Sequence, residues 1–385
     1  MKKKRTIENV PKVAFAPIHD GKFEFTPYPS CLKAVLKHLG DVYPYHYLLG
    51  TCGGAFRMAW HKEIWEGGNV DLIFTSIDPL EPFKRALDAV GRSFDLLWNS
   101  TRTDNLSFFP NAIKQQYLAE YFSEDAALFQ SKILASIDAG VPVIGFGIVG
   151  PPEACIITGY GDDGETLYGW SMFQEHLNPA HDIEPGSDEM NAPAGIEDNG
   201  YFRQVDWFRK CTSIIVLGDK KEIDTAAVYR KALEWIPVLT KKTELHHFYN
   251  GQKAFETYIQ KMSDDSEFDV EDRGSLAERK MVHYDAMTMI AERSGGARFI
   301  RDIANHPSFA SVKGDLLKAA DTFDETHKEM GAWWEVAGKI WSDEEAQIKA
   351  TADPKARKAF IPHIRTAMEK NLEATELIES ILEKL

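Results

Sequence analysis

The sequence predicts an α+β domain at residues 1–218, followed by an all-helical domain at residues 222–385. In the first part, short apolar runs suited to buried strands alternate with turn residues, and an Asp-Gly turn joins two of these runs. After Gly218 the apolar residues recur at the spacing of amphipathic helices. A chain of 385 residues also exceeds the usual size of a single core, so we expect two domains.

The first predicted helix begins at Cys31 and ends at Gly40, a residue that suits the left-handed end of a helix. Its apolar stripe consists of Leu32, Val35, Leu36 and Leu39. Cys31 therefore falls in the first turn, where unpaired backbone N–H groups and the helix dipole favour a thiolate. This is a suitable position for a nucleophile. The alternative is a small apolar residue buried at a helix start.

Residues 46–57 form a glycine-bearing turn flanked by apolar residues. Glycine allows the backbone to approach a neighbour or a ligand closely, but neither the P-loop pattern nor the dinucleotide-binding glycine spacing is present. Cys52 in this turn is a second candidate for a functional thiol, or simply filler. Arg57, like Arg298, could bind a carboxylate or phosphate; the alternative is a surface ion pair.

The remaining elements of the first domain follow from local patterns. Helices are predicted at residues 79–90 and 125–139, and strands at 94–98, 141–150, 155–160, 166–170, 201–207 and 213–218. Asp162-Asp163-Gly164 lies between two of these runs and predicts a hairpin. The stretch 176–200, rich in Pro, Asp, Glu and Asn, is either a lid over a site or a disordered insertion.

The second domain is predicted to contain helices only. Their ranges are 224–241, 246–262, 275–293, 296–305, 309–340 and 353–384, with Pro362 kinking or breaking the last. Histidines on separate helices (His246, His247, His283 and His327) could form a metal site, but no HExxH or similar spacing supports one, so no metal or cofactor is predicted. The tryptophans Trp333, Trp334 and Trp341 anchor the helical core or line a ligand pocket.

Composition limits the class of protein. A net charge of −15 disfavours binding to nucleic acid or to an anionic membrane. The basic residues 1–5 resemble the start of a signal peptide, but residues 6–12 supply no apolar core, and no apolar run reaches the ~18 residues of a spanning helix. Four widely spaced cysteines without a CxxC pair fit a reducing compartment, so we expect a cytoplasmic protein. The sequence is also compatible with a homo-oligomer.

The order of parts in the first domain resembles the papain-like cysteine peptidase superfamily, specifically the bacterial branch related to bacteriocin-processing peptidases. The resemblance rests on the Cys31 helix, on residues 133–143 and on the hairpin 154–168. Residues 49–56 also resemble the glycine-rich segment of proteins similar to butirosin biosynthesis protein H, an acyl transferase. In the helical half, the residues similar to such proteins are Gly251, Ala254, Phe255, Gly295, Gly296 and Arg298.

The resemblance implies a cysteine nucleophile at Cys31, but the rest of the catalytic set departs from the family. Glu153 stands where the family has a histidine base, Trp170-Ser171 replaces the orienting Asp or Asn, and no Gln shortly precedes Cys31. Glu ionises near 4.3 and Cys near 8.5, so an anionic Glu153 would raise the pKa of the thiol. A protonated, desolvated Glu153 would instead donate a proton, which suits acyl transfer better than proteolysis.

The sequence thus predicts a cysteine-dependent amide or thioester hydrolase or acyl transferase acting on a small or peptide-like substrate. Cys31 and Glu153 are the candidate catalytic residues. Cys52, Arg57, Trp170 and Ser171 are the candidate substrate-binding residues. The alternative is a catalytically inactive papain-like protein that holds a small metabolite or peptide in a cleft between the two domains.

Overall fold

The chain folds into two compact units. The computed structural model describes residues 3–15, 24–67, 72, 76, 78–102, 117, 120–175, 192–241, 244–245, 247–269, 272–338 and 343–385. The first unit comprises Met1–Leu48 and Lys84–Ile223, and the second comprises Leu49–Phe83 and Asp224–Leu385. The segment Leu49–Phe83, expected in the first domain, therefore groups with the C-terminal helices.

The helices and strands alternate in the first half of the chain, and helices dominate the second. The helices are α1 Pro27–His38, α2 Tyr45–Thr51, α3 Glu81–Ala89, α4 Ala126–Asp138, α5 Trp207–Lys210, α6 Thr225–Lys241, α7 Gly251–Ser263, α8 Arg273–Ala291, α9 Arg293–Asn305, α10 Lys313–Lys328, α11 Gly331–Ala337, α12 Glu344–Ala352 and α13 Pro354–Leu382. The strands are β1 Arg5–Thr6, β2 Ala59–His61, β3 Arg92–Asn99, β4 Phe122–Ser123, β5 Val143–Phe146, β6 Ala154–Gly161, β7 Thr166–Ser171, β8 Gly195–Ile196, β9 Phe202–Val205, β10 Ser213–Lys220, β11 Glu244–Leu245 and β12 Phe248–Asn250.

The first unit is built on a mixed sheet. Its described strands follow the order β4-β3-β10-β5-β6-β7-β9-β8, and β1 also pairs with β6. The β3–β4 pair is parallel, whereas β6 pairs antiparallel with β5, β7 and β1. The predicted hairpin is confirmed, because a 3-10 turn at Asp162–Gly164 joins β6 to β7. Strands on both sides of β6 make it a central, fully buried strand.

Two helices of the first unit pack against this sheet. Helix α1 contacts β5 and β6, and α4 contacts β6 and β10. The prediction of α4 is confirmed: the Asp125 carboxylate accepts a hydrogen bond from the Ala127 N–H at 2.9 Å, and Gly140 beyond its end has φ +81°. These local signals explain why the sequence alone was sufficient for this helix.

The sequence predicts helices only for the C-terminal half, and this prediction is wrong, because the second unit also contains strands. Strands β11, β12 and β2 form a small antiparallel sheet in which Phe248 pairs with His61. The helix expected from residue 246 accordingly begins only at Gly251, which has φ +51° and donates its N–H to Met58 O. His246 itself lies outside the described residues.

The helix predicted at 309–340 differs from expectation, whereas the helix predicted at 353–384 is confirmed as α13. Residues 309–340 contain the end of a 3-10 turn at Pro307–Val312, then α10 and α11. Conversely, α13 continues through Pro362, with Phe360 and Ile364 buried on either side of it. Proline removes one backbone hydrogen bond, and the apolar packing around it keeps the helix together. Among the described helices, none combines the length and the apolar character needed to cross a membrane.

Candidate functional site

Helix α1 begins four residues earlier than predicted, so Cys31 lies inside it. Thr26 precedes the helix in an extended conformation, and Pro27 takes the first helical position. Proline is favourable there because its missing N–H would have no partner inside the helix. Cys31 is thus the fifth residue of the helix, beyond the unpaired N–H groups that were expected to stabilise a thiolate. Its side chain is fully buried.

Helix α1 and Trp170 lie on the same face of the sheet in the first unit. Directly paired residues share a face, as do alternate residues along a strand. Phe146 pairs with Ala154, and Ile156 with Trp170, so these four side chains point the same way. The Tyr28 ring stacks on Phe146 with centroids 6.1 Å apart, which places α1 on this face. Three residues on from Tyr28, Cys31 lies on the same side of the helix.

Glu153 lies at the end of the sheet where β5 stops and β6 starts. It directly precedes Ala154, the partner of Phe146, and is only 8% exposed. Its carbonyl oxygen accepts a hydrogen bond of 3.1 Å from the Gly147 N–H, which closes the loop between the two strands. Glu153 and the Tyr28–Phe146 contact therefore mark the same end of the sheet.

Trp170 and Ser171 point to opposite faces of β7. The Trp170 indole N–H donates to Val10 O at 3.1 Å, and its ring meets Tyr201 edge-on at 4.9 Å. The Ser171 hydroxyl donates to Val149 O at 3.3 Å and accepts from the Phe173 N–H at 3.1 Å. Ser171 thus stabilises the local turn, and Trp170 shares the face of α1.

The other two predicted residues, Cys52 and Arg57, belong to the second unit. The Cys52 thiol is fully buried and donates to Leu49 O at 3.3 Å. Arg57 is 3% exposed and donates to Glu292 Oε2 and Gly54 O, both at 2.7 Å. This ion pair fixes the glycine-rich segment to the junction of α8 and α9.

Arg293, which the sequence analysis did not single out, forms the rest of that junction. It is fully buried and donates to the carbonyl oxygens of Ala55 and Arg57 at 3.0 and 2.8 Å. Its Nε donates to Asn371 Oδ1 at 2.8 Å. Burial, together with the Arg57 charge, lowers the pKa of Arg293 to about 9, so it stays charged at neutral pH. Nothing in the local pattern distinguishes this arginine from a surface residue.

A second buried polar group in this unit is the pair Tyr258 and His283. Tyr258 Oη lies 2.5 Å from His283 Nδ1, and the imidazole packs edge-on against Trp333 at 4.4 Å. Burial lowers the pKa of His283 to about 3 and raises that of Tyr258. His283 Nε2 has no hydrogen-bond partner among the described residues. Within those same residues no group of three or more His, Cys, Asp or Glu could hold a metal ion.

The first unit also has a surface recess of about 300 Å³. Its lining includes Asp88, Arg92, Phe94, Lys221 and Glu222, and it contains none of the candidate residues. The predicted stretch 176–200 is described only from residue 192 onward, so the predicted lid falls largely outside the described residues.

The sequence matches no family model and none of the curated proteins.

Proposed function

We propose that the first unit is a papain-like domain that carries out cysteine-dependent acyl chemistry on an amide, a thioester or a peptide-like substrate. The observation that carries the proposal is that α1 and Trp170 share one face of the sheet, with Glu153 at the end of the same sheet. Tyr28, one turn before Cys31, contacts the sheet beside Ala154, the residue after Glu153, and Trp170 shares that face. The sequence resemblance implies that Cys31 is the nucleophile and that Glu153 stands at the position of its proton-transfer partner.

In this mechanism Cys31 is the nucleophile and Glu153 exchanges protons with the reacting groups. The Cys31 sulfur forms a bond to the substrate carbonyl carbon, and the carbon–nitrogen bond of an amide breaks. Glu153 gives its carboxyl proton to the leaving nitrogen and takes the thiol proton in exchange, so the carboxyl ends as it began. Water or an acceptor amine then cleaves the thioester. Trp170 forms an apolar wall beside the acyl group.

The experiment is the trapping of an acyl adduct. We expect incubation of the full chain with an activated ester, such as a p-nitrophenyl ester, to add one acyl group, located on Cys31 by peptide mass spectrometry. Cys31→Ser should abolish that adduct and Cys211→Ser should not. All four cysteines are fully buried, so preferential modification of Cys31 reports reactivity rather than simple exposure. Acylation spread evenly over the four thiols would refute the proposal.

Complete burial of Cys31 inside the helix favours a second candidate, an inactive protein that binds a small metabolite or peptide. A thiol beyond the first turn lacks the N-terminal groups that activate it. In that case Cys31 should react with iodoacetamide no faster than the other cysteines at neutral pH, and Cys31→Ala should leave ligand binding intact. The two candidates therefore predict opposite results for the reactivity of Cys31 relative to the other cysteines.

A further inference from the structure

Residues 3–15, here called the strap, run along the β6–β7 hairpin from its turn to its open end. At the turn, the Lys3 N–H donates to Asp163 Oδ1 at 2.9 Å. Next, β1 pairs with β6, and the Ile7 N–H donates to Thr158 O at 2.7 Å. At the open end the Phe15 ring meets Phe173 at 4.9 Å. The strap therefore spans the whole hairpin.

Between these ends the strap covers Trp170. Val10 O accepts the indole N–H, and Lys12 Nζ lies 5.8 Å from the centre of the ring. The Tyr201 hydroxyl, beside the same ring, donates to Ile7 O at 2.9 Å. Trp170 is consequently only 9% exposed, on the sheet face that also carries α1.

We propose that the strap is a releasable cover whose opening controls access of substrate to Cys31. This inference rests on the proposed acyl chemistry of that residue. In the closed state the strap occupies the side of the Trp170 ring that an acyl or peptide-like group would contact. Opening would free that ring and the sheet face next to α1 without unfolding the sheet, since β6 remains paired with β5 and β7.

The strap is held by buried apolar side chains (Ile7, Val10, Val13 and Phe15) and by charged attachments at the surface, and the charged attachments are individually weak. Each of its basic residues is paired with an acidic residue of the same unit: Lys3 and Arg5 with Asp138, Lys4 with Glu197, and Lys12 with Glu175. All of these side chains are 32–60% exposed, so each pair is weak and screened by salt. The β1 ladder contains only two residue pairs. Ordering a segment of this length is entropically expensive, which favours local opening.

The test is a charge swap at the Lys12–Glu175 pair in the full chain. Lys12→Glu should loosen the strap, and Lys12→Glu combined with Glu175→Lys should restore it. Two rates are measured for each variant: hydrogen exchange of the Ile7 amide, which reports opening of the strap, and alkylation of Cys31 by iodoacetamide. We expect both to rise roughly 3- to 10-fold in Lys12→Glu and to return in the double variant. Raising the salt concentration should accelerate both in the natural chain.

Cys211 is the internal control, because it is fully buried in the same unit. If Cys211 alkylation rises together with that of Cys31, the whole unit opens and the proposal is wrong. It is also wrong if Ile7 exchanges faster while Cys31 does not. Should Lys12→Glu leave Ile7 protected, the variant Lys4→Glu/Arg5→Glu/Lys12→Glu decides: continued protection means that the strap is an integral strand. Failure of the acyl chemistry itself would appear separately, as an absent adduct in the trapping experiment.

Discussion

The buried imidazole of His283 makes the stability of the second unit depend on pH. His283 is fully buried, and its folded-state pKa of about 3 lies well below the ordinary value of 6.5. Between these values the unfolded chain binds a proton that the folded chain does not. The contribution of His283 to stability is therefore complete above pH 6.5 and is lost as the pH falls from there toward 3.

The size of the effect follows from this difference. A pH of 5.0 lies 1.5 units below the unfolded-state pKa of 6.5. At about 1.36 kcal/mol per pH unit, the free energy of unfolding is therefore about 2 kcal/mol lower at pH 5.0 than at pH 7.5. The result is insensitive to the folded-state pKa as long as that pKa lies below about 4.

The assay is urea unfolding of the natural chain and of His283→Asn at pH 7.5 and 5.0. Asn keeps a hydrogen-bonding group near Tyr258 Oη but does not titrate. We expect the natural chain to lose about 2 kcal/mol more than the variant on acidification. Tyr258→Phe is the control: it lowers stability at both pH values but keeps the dependence on pH, because the imidazole stays buried. Equal losses in the natural chain and in His283→Asn would refute the assignment of His283 as a buried neutral group.

Two further predictions concern the glycine-rich segment of the second unit. Glu292→Gln should lower the free energy of unfolding by about 3–5 kcal/mol, because it leaves the Arg57 charge buried without its carboxylate. The double variant Arg57→Met/Glu292→Met should recover much of that loss. A loss below about 1 kcal/mol in urea unfolding would contradict a buried ion pair. Gly50→Ala should cost about 1–3 kcal/mol, because its Cβ would lie 2.3 Å from the Phe299 ring. Gly314→Ala is the matched control, since Gly314 is also helical and a Cβ added there would have no atom within 4 Å. This variant should raise the thermal midpoint slightly. Equal effects at Gly50 and Gly314 would argue against close packing of Gly50 on Phe299.

The elements that could be predicted from the sequence are those whose signals are local. The α4 cap at Asp125, the Asp162–Gly164 turn and the apolar run of β5 each lie within a few residues of the element they define. The predicted start of α1 at Cys31 was wrong, because the helix begins at Pro27 and proline is well tolerated in a first turn.

The elements that could not be predicted depend on distant partners. Strand β1 has only two residues and no periodicity, and it exists because β6 offers an edge beside the end of β5. Strand β12 exists because β2 pairs with it from far earlier in the chain. Arg293 is buried because carbonyl groups more than 200 positions away accept its hydrogen bonds. In the candidate site, the helical pattern singled out Cys31 and the family resemblance singled out Trp170, but neither could show that residues 3–15 cover the indole.

The assignment of Leu49–Phe83 to the second unit has a consequence for biosynthesis. During translation this early segment, with the buried side chains of Phe56 and Trp60, is complete long before the helices it packs with, which start at Asp224. Its apolar surface stays exposed while more than a third of the polypeptide is synthesised, and exposed apolar surface promotes aggregation in that interval. A fragment that stops near residue 218 would never acquire those partners, so we expect it to require a chaperone or to precipitate.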